Sequence, residues 1–290
     1  MTVNLLGGLG NQLFCYSFGR YLAKFLGIEV TFEAQPLFRP SNHGVSLVGR
    51  NLRGSFVMRG GTVPSRFIAV ASLELQERYP YLQRWLPTLT GAQYCPEPGI
   101  PVLKVRTGGI LHGYFQITRF ATKLIGSELT WDSLLPDTGP SQWLSREIEE
   151  AQSNEIVALH FRRKDYTAHP AWGLLDRKYY DAALDQLPSR LSSAPIWVFS
   201  DDPDRAEHEL SSIRGNVRFI RSPGDVDVAE SLILMSRASA VVTANSTFSW
   251  WAGALSDFGT TVVAPSPWFP SHYRDEFYLP EWIQLDSVFQ

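Results

Sequence analysis

The sequence of 290 residues has few cysteines, no long apolar run and no strong excess of either charge. Cys15 and Cys95 are its only cysteines, and their spacing fits neither a metal site nor a redox pair. The formal net charge is −3 without blocks of like charge, which argues against nucleic-acid binding. No stretch reaches the roughly 18 apolar residues of a membrane-spanning helix, and no signal peptide precedes the first strand. These absences predict a soluble, reduced, cytosolic protein.

What remains is an ordinary globular composition, 44% hydrophobic and 19% charged. The length suggests two domains or one large one. Aromatic residues make up 13% of the chain, which is common in proteins that handle sugars and equally common in plain cores.

The N-terminal half opens as a parallel α/β unit. A short apolar run at 2–6 meets the glycine-rich turn GGLGNQ, and apolar residues then recur at helical spacing as far as Gly27. The segment 28–33 resumes as a strand, which is the order of a βαβ unit. Further on, the sequence predicts a helix over 72–87, a strand within 108–116 and a helix from Thr118 to about Ile125.

The C-terminal half repeats the α/β pattern more clearly, with two predicted helices, 177–187 and 229–239, between short β-branched runs. Near-continuous Val, Ile and Leu indicate strands that are buried on both faces of a doubly wound sheet. We place the domain boundary within 137–153 and take 1–145 and 146–290 as the two domains. The five predicted strands are 155–161, 195–200, 217–220, 240–244 and 261–265.

Polar clusters follow three of these runs: 160–165, 200–202 and 245–247. Ligands of open parallel sheets bind outside the carboxyl ends of the strands, so these clusters should converge on one crevice.

Two adjacent arginines, Arg162 and Arg163, stand in the first cluster. On an extended chain they point to opposite sides, so one should face the crevice while the other pairs with a carboxylate such as Asp165. A guanidinium fits a phosphate bidentately and stabilises a diphosphate leaving group without a metal. A purely structural arginine–aspartate pair is the alternative.

Two turns before helices are candidate ligand-binding segments. The segment that begins at Asn245 has the residue types that cap helices, and free N–H groups together with the helix dipole attract anions. A simple cap is the alternative there. The turn GGLGNQ lets a backbone approach a ligand closely, although it is neither a GxGxxG nor a Walker motif.

The segment FSDDPD at 199–204 has two interpretations. Asp202 and Asp204 resemble the aspartate pair with which many sugar transferases hold manganese. Alternatively one aspartate binds guanine and no metal is needed, and Asp-Pro can also simply begin a helix. The nearby arginines favour the version without a metal. The histidines lack zinc-site spacing, and no GxSxG motif of acyl hydrolases occurs.

Together these motifs resemble a known family. GGLGNQLFCYSFGR, HGYFQ, HFRRKDY, FSDD and LMSRASAVVTANSTFSWWAGAL occur in the order and spacing of bacterial α-1,2-fucosyltransferases, glycosyltransferase family eleven. The segment 36–105 supports this resemblance least. The HxRRxD segment is shared with α-1,6- and protein O-fucosyltransferases, whereas GGLGNQ and NSTFSWW point to the α-1,2 group.

The resemblance implies a GT-B type fold, in which two Rossmann-like domains face each other across a cleft. It implies transfer of L-fucose from GDP-β-L-fucose, with inversion and without a metal or other cofactor, to the 2-hydroxyl of a terminal β-galactoside. Arg162 would grip the diphosphate with support from Arg163. The other implied donor-binding residues are Gly8, Gly10, Asn11, Gln12, His160, Asp201, Asp202, Asn245, Ser246, Thr247 and Ser249.

Asp165 and His169 are the candidates for the general base, and Asp165 has the alternative role of an arginine partner. Three positions depart from the family pattern: Cys15 for glutamine, Ala238 for cysteine, and Ser231 for aspartate, with Glu230 beside it.

Three rival hypotheses remain. They are a metal-dependent glycosyltransferase that uses Asp202 and Asp204, a non-catalytic protein that binds nucleotide sugars or glycans, and an α/β protein for another nucleotide. The lack of a membrane anchor predicts a cytoplasmic protein, with peripheral docking at the inner face of the bacterial inner membrane as one option.

Overall fold

The computed structural model describes residues 1–34, 46–58, 63–96, 103–104, 108–270 and 277–290, with the backbone alone at 63–66. The chain divides into two compact units, Met1–Leu134 and Leu135–Gln290, here called unit 1 and unit 2. Within the described parts, no helix is both long and apolar enough to cross a membrane.

Unit 1 contains a parallel sheet of five strands in the order β3-β2-β1-β5-β4. A 3-10 helix, Pro80–Arg84, connects α2 and α3. The elements are β1 (Thr2–Asn4), α1 (Leu9–Leu26), β2 (Thr31–Glu33), β3 (Ser55–Val57), α2 (Val63–Arg78), α3 (Leu86–Thr90), β4 (Ala92–Tyr94), β5 (Ile110–His112), α4 (Thr118–Thr122) and α5 (Trp131–Leu134).

The first β-α-β stretch of unit 1 is confirmed. Helix α1 ends at Gly27, whose φ of 66° is left-handed and closes the helix with a bond from its N–H to the carbonyl of Leu22. The predicted helix over 72–87 is instead three pieces, because Pro80 begins the 3-10 helix and Pro87 lies in the first turn of α3. Strands β3 and β4 have three residues each, too few for an alternating pattern to predict them.

Unit 2 contains a parallel sheet of six strands in the order β11-β10-β9-β6-β7-β8. Two 3-10 helices, Pro170–Trp172 and Ser189–Leu191, lie in its connections. The elements are α6 (Gln142–Asn154), β6 (Val157–Phe161), α7 (Lys164–Thr167), α8 (Arg177–Asp185), β7 (Ile196–Ser200), α9 (Pro203–Glu209), β8 (Val217–Phe219), α10 (Val228–Ser236), β9 (Ala240–Val242), α11 (Thr247–Ala254), β10 (Thr261–Ser266) and β11 (Ile283–Asp286).

The five strands predicted in this half are confirmed as β6 to β10, and every residue of β6 is buried. From β6 the chain builds β7 and β8 on one side, then returns to place β9, β10 and β11 on the other. The strand order therefore reverses between β6 and β9, which is the switch point where such sheets bind ligands. The α/β class with two Rossmann-like domains is confirmed, since each unit has its own parallel sheet with helices.

The division between the units falls after Leu134, whereas the predicted boundary at 145/146 lies inside α6. Ser141 caps α6, and its N–H donates to the buried carboxylate of Glu230 in α10 at 2.9 Å. Its hydroxyl bonds the same carboxylate. These bonds attach the start of α6 to unit 2, and they give Glu230 a structural role.

Candidate active site

Arg162 follows the carboxyl end of β6, on the side of the sheet where the strand order reverses. Its Nε and Nη2 lie 3.0 and 2.7 Å from Asp165 Oδ1, and Nε lies 3.2 Å from Asp201 Oδ2. Burial opposes the charge of the guanidinium, but these two carboxylates outweigh it and raise the pKa of Arg162. The side chain keeps 21% exposure, so a fixed cation remains open to a ligand.

Arg163 is fully buried, and its guanidinium bonds to a carboxylate and to two backbone carbonyl groups. Nε and Nη2 donate to Glu209 Oε2 at 2.9 and 2.8 Å, while the carbonyl oxygens of Arg162 and Leu175 accept further bonds. The guanidinium also lies 3.7 Å from the ring centre of Phe161. The buried arginine thus pairs with Glu209, and Asp165, the partner expected for it, pairs with Arg162 instead.

Asp201, at the end of β7, holds the turn that carries both arginines. Its oxygens accept bonds from the N–H groups of Arg163 and Lys164 at 2.9 and 3.1 Å, in addition to the Arg162 contact. A carboxylate at the first N–H groups of α7 also suits the helix dipole. This arrangement makes Asp201 a positioning residue for Arg162.

Asp202 directly precedes α9, whereas Asp204 lies in its first turn, and the two carboxylates have different partners. Asp202 caps the helix by accepting from the Arg205 N–H at 3.3 Å, as Asp-Pro commonly does. Asp204 is exposed and pairs with Arg221 at 2.8 Å. Among the described residues, no group of three or more His, Cys, Asp or Glu side chains is placed to share a metal ion.

His160 lies in β6, two residues before Arg162, and is buried against Phe248 of α11, with ring centres 5.6 Å apart. Its Nδ1 has no hydrogen-bond partner among the described residues. Burial, with a smaller effect from the charge of Arg162, lowers the pKa of His160 from 6.5 to about 3. The imidazole is therefore neutral at neutral pH.

This depressed pKa predicts a pH-dependent stability. Between pH 6.5 and about 3 the unfolded chain binds a proton at His160 that the folded chain does not. The free energy of unfolding therefore decreases as the pH is lowered through that window. We expect the fraction unfolded to rise by up to about tenfold per pH unit through this group. Urea unfolding at pH 7 and pH 5 should show a smaller pH effect for His160→Gln than for wild type. The exposed His208, changed to Gln, is the control, and equal slopes for wild type and His160→Gln would contradict the assignment.

The segment after β9 carries the third predicted cluster, 245–247. Asn245 is buried, and its Nδ2 donates to the carbonyl oxygens of Trp172 and Gly173 at 2.7 and 3.1 Å. Its own carbonyl accepts from Tyr166 Oη at 2.6 Å. Asn245 therefore joins the end of β9 to the loop after α7, so both sides of the switch point are held together.

Helix α11 begins at Thr247, and Ser246 caps it by accepting from the Phe248 N–H at 3.4 Å. Ser249 is fully buried and accepts from the Ala244 N–H at 3.2 Å. Ser246 and Ser249 thus shape the turn, while Thr247 is partly exposed at the start of the helix. The N-terminus of α11 and Arg162 follow neighbouring strands, β9 and β6.

Two aromatic side chains that the sequence analysis did not single out complete this region. Burial raises the pKa of the Tyr166 hydroxyl well above its usual value, so it stays a donor to Asn245. The Trp172 ring packs against the rings of Tyr166 and His169, and its centre lies 5.2 Å from the Tyr166 ring centre and 4.3 Å from the His169 ring centre. Tyr166 lies inside HFRRKDY and could have been noticed, whereas no local signal marks Glu209 or Trp172.

In unit 1, GGLGNQ connects β1 to α1, and its glycine and amide residues have separate tasks. Gly7 has a left-handed φ of 66°, and a Cβ there would lie 2.6 Å from Asn11 Nδ2. Gln12 is buried, donates to the Gly7 carbonyl at 2.8 Å and accepts from the Ser46 N–H at 3.1 Å. Asn11 Oδ1 accepts from Gln116 at 3.0 Å, which joins GGLGNQ to HGYFQ. Gly8 precedes α1, and Gly10 lies in its first turn.

Two of the three departures from the family pattern, Cys15 in unit 1 and Ala238 in unit 2, lie at buried positions. Cys15 is buried, and its thiol lies 3.4 Å from the carbonyl oxygen of Gly113. Ala238 is buried two residues after the end of α10.

The family model of "Glycosyl transferase family 11" matches residues 141–286. The match covers half of the chain and nearly all of unit 2, including both clusters at the switch point. The chain therefore belongs to glycosyl transferase family 11.

Individual relatives agree with this membership. The chain is 32% identical over 139 residues to the O-antigen biosynthesis glycosyltransferase WbnK of Escherichia coli, covering 46% of each chain. It is 34% identical over 142 residues to an alpha-1,2-colitosyltransferase of Escherichia coli, covering 45% of this chain and 48% of that one. The match thus spans about half the length of these two relatives. A galactoside alpha-(1,2)-fucosyltransferase 2 of Gorilla gorilla gorilla is 24% identical over 98% of this chain and 78% of its own.

Proposed function

We propose that the protein transfers L-fucose from GDP-β-L-fucose to the 2-hydroxyl of a terminal β-galactoside, with inversion and without a metal. The observation that carries the proposal is Arg162 beside the switch point of unit 2, fixed by Asp165 and Asp201 and still partly exposed. A fixed guanidinium next to a helix N-terminus suits the diphosphate of a nucleotide sugar. Relatives named for α-1,2 transfer, one of them to a galactoside, support the linkage and the acceptor.

In this mechanism the acceptor hydroxyl attacks the anomeric carbon of fucose while the bond to GDP breaks. Arg162 and the N–H groups at the start of α11 offset the charge that grows on the diphosphate. Ser246 and Thr247, together with Gly8, Gly10 and Asn11 of unit 1, are the other donor-binding residues of the proposal. The predicted donor-binding residues His160, Gln12, Asn245 and Ser249 are buried, and their role in the proposal is to support the turns around the site. Asp202 would bind guanine, because both oxygens of Asp201 are engaged with the turn after β6.

The two candidates for the general base differ in their surroundings. Both Arg162 bonds to Asp165 go to its Oδ1, so the role of Asp165 in this proposal is to orient the arginine. His169 is exposed, and its ring lies on Trp172. The proposal therefore assigns acceptance of the hydroxyl proton to His169.

The geometry of the aspartates supports transfer without a metal. A manganese site built on Asp202 and Asp204 would require both carboxylates to face one ion. Instead, Asp202 caps α9 while Asp204 pairs with Arg221. Arg162 already supplies the positive charge that a diphosphate needs.

The test is fucosyl transfer from GDP-fucose to lactose with EDTA present, followed by NMR of the product linkage. We expect an α-1,2-linked product at a rate that EDTA does not change. His169→Gln should lower kcat by about 100-fold without changing GDP affinity, as loss of a general base does. Activity that appears only with added manganese would contradict the proposal and would favour a metal-dependent transferase that uses Asp202 and Asp204. GDP binding without any turnover, across a panel of β-galactosides, would indicate a non-catalytic binding protein.

Colitosyl transfer is the second candidate, because one of the E. coli relatives has that name. Colitose is fucose without the hydroxyl at carbon 3, so the same diphosphate site would serve both donors. Comparing kcat/KM for GDP-fucose and GDP-colitose with one acceptor decides between them. A site that bonds the 3-hydroxyl should disfavour the deoxy sugar strongly, since its polar groups would be left unpaired.

A further inference from the structure

Tyr166 ends the motif HFRRKDY and has no role in the reaction proposed above. It contacts both segments that the reaction assigns to the diphosphate. Arg162 Cζ lies 5.7 Å from the centre of the Tyr166 ring. The Tyr166 hydroxyl donates at 2.6 Å to the carbonyl oxygen of Asn245, two residues before α11 begins. One side chain therefore joins the two sides of the switch point of unit 2.

The sheet alone does not fix the separation between Arg162 and the N-terminus of α11. The pairing of β6 with β9 ends at Leu159 and Val242, and Arg162 and Asn245 each lie three residues further along the chain. Tyr166 lies in α7, the short helix that begins two residues after Arg162. Its hydroxyl thus supplies a bond between the two segments beyond the point where the strand ladder stops.

Further contacts hold Tyr166 in a fixed position. Its ring packs edge-on against Trp172, with ring centres 5.2 Å apart, and the Trp172 carbonyl oxygen accepts from Asn245 Nδ2 at 2.7 Å. Asp165, its neighbour in α7, accepts from Arg162 Nε at 3.0 Å. The same short segment is therefore bonded to Arg162 on one side and to the turn before α11 on the other.

A diphosphate makes a strict demand on this separation. Its two phosphate groups are joined covalently, so the protein groups that bind them must stand at one particular distance. A guanidinium and the N–H groups of a helix stabilise growing charge most effectively when they are held in place before the reaction. A displacement of about 1 Å can lower a rate by about 100-fold.

We propose that Tyr166 is a positioning residue, whose hydroxyl holds Arg162 and the N-terminus of α11 at the separation that a nucleoside diphosphate requires. The inference rests on the proposed function, since it takes these two groups as the diphosphate site. Tyr166 contributes to binding through them and does not itself contact a phosphate group.

Tyr179 provides the matched comparison within unit 2. It is fully buried in α8, and its hydroxyl donates at 2.9 Å to the carbonyl oxygen of Thr243, two residues before Asn245. Phenylalanine at either position removes the same kind of bond from the same segment after β9 and keeps the aromatic ring. The bond of Tyr179 leads to α8, whereas the bond of Tyr166 leads to Arg162.

The test compares wild type, Tyr166→Phe, Tyr179→Phe and Arg162→Ala by urea unfolding and by isothermal titration calorimetry with GDP and GMP. Both tyrosine variants should unfold at lower urea concentration than wild type, because each leaves a carbonyl group without its donor. Tyr166→Phe should also weaken GDP binding by about fivefold and GMP binding by less than about twofold, as loss of one hydrogen bond does. Tyr179→Phe should keep the wild-type ratio of GDP to GMP affinity.

The double variant of Tyr166→Phe and Arg162→Ala measures the coupling between the two residues. It should lose less GDP affinity than the two single losses combined, because Arg162→Ala removes one of the groups that Tyr166 positions. Additive losses would show that Tyr166 acts apart from Arg162 and would overturn the inference.

The outcomes separate this inference from the proposed function. If Arg162→Ala lost the preference for GDP while Tyr166→Phe kept it, the positioning role would be overturned and the donor site would stand. A preference that neither substitution changes would contradict the donor site and the positioning role together. An equal fall of the ratio in Tyr166→Phe and Tyr179→Phe would also overturn the inference, because general loosening of the segment after β9 would explain both.

Discussion

Arg162→Ala is expected to lower fucosyl transfer by about 1,000-fold while the protein stays folded. The side chain is partly exposed and its partners, Asp165 and Asp201, remain solvated or bonded to backbone N–H groups without it. The loss should therefore appear in activity and donor binding and not in stability. Steady-state kinetics with GDP-fucose, together with thermal unfolding, measure both effects.

Arg162→Lys tests whether the shape of the group matters as well as its charge. A lysine ammonium cannot reproduce the planar contacts of Arg162 with both carboxylates, so transfer should recover only in part. Arg190→Ala is the control, since Arg190 is an exposed arginine of unit 2 that pairs with Glu155. If Arg162→Ala turned over substrate at the wild-type rate, Arg162 would have no role in the reaction.

Arg163→Met is expected to have the opposite phenotype, a loss of about 3 kcal/mol in the free energy of unfolding. The substitution keeps the volume but removes bonds to Glu209, to the Leu175 carbonyl and to the Arg162 carbonyl. Because Glu209 is 22% exposed and keeps Arg205 as a partner, the loss should lie at the low end for a buried pair. Urea unfolding of the full chain measures the change.

Arg214→Met is the matched control, because Arg214 and its partner Asp185 are both more than half exposed. That surface pair should contribute less than about 1 kcal/mol. If Arg163→Met and Arg214→Met had the same free energy of unfolding, the bonds between buried Arg163 and Glu209 would not stabilise the fold as described. Adjacent arginines with separate effects, one on activity and one on stability, would confirm the division of roles.

Much of unit 2 could be predicted from the sequence for a simple physical reason. Strands buried on both faces consist of consecutive β-branched and aliphatic residues, so runs such as 157–161 and 240–242 are visible without any contact information. The helix α1 was visible for a similar reason, since eighteen residues give several turns of apolar periodicity and Gly27 marks its end. Strands of three residues in unit 1 and the edge strand β11 carry too little pattern.

The contacts around the candidate site could be predicted where its residues are adjacent in sequence and were missed where they are distant. Arg162, Asp201 and Asn245 each follow a predicted strand. Because the carboxyl ends of parallel strands meet at one edge of the sheet, their common location could be predicted. The partner of Arg163 does not, because Glu209 lies 46 residues away and reaches it only through the packing of α9. The predicted pairing with Asp165 failed because α7 begins directly after Arg163 and its first turn brings Asp165 back to Arg162.

The most direct measurement compares the affinities of GDP and GMP for wild type and Arg162→Ala by isothermal titration calorimetry, with Arg190→Ala as control. GMP lacks the second phosphate, so the affinity ratio isolates the contact with the diphosphate. We predict that wild type and the control bind GDP at least about tenfold more tightly than GMP, as a charged hydrogen-bonded contact contributes about 1.5–3 kcal/mol. Arg162→Ala should lose that preference. An unchanged ratio in Arg162→Ala, or no preference in wild type, would contradict the claim that Arg162 holds the diphosphate at the end of β6.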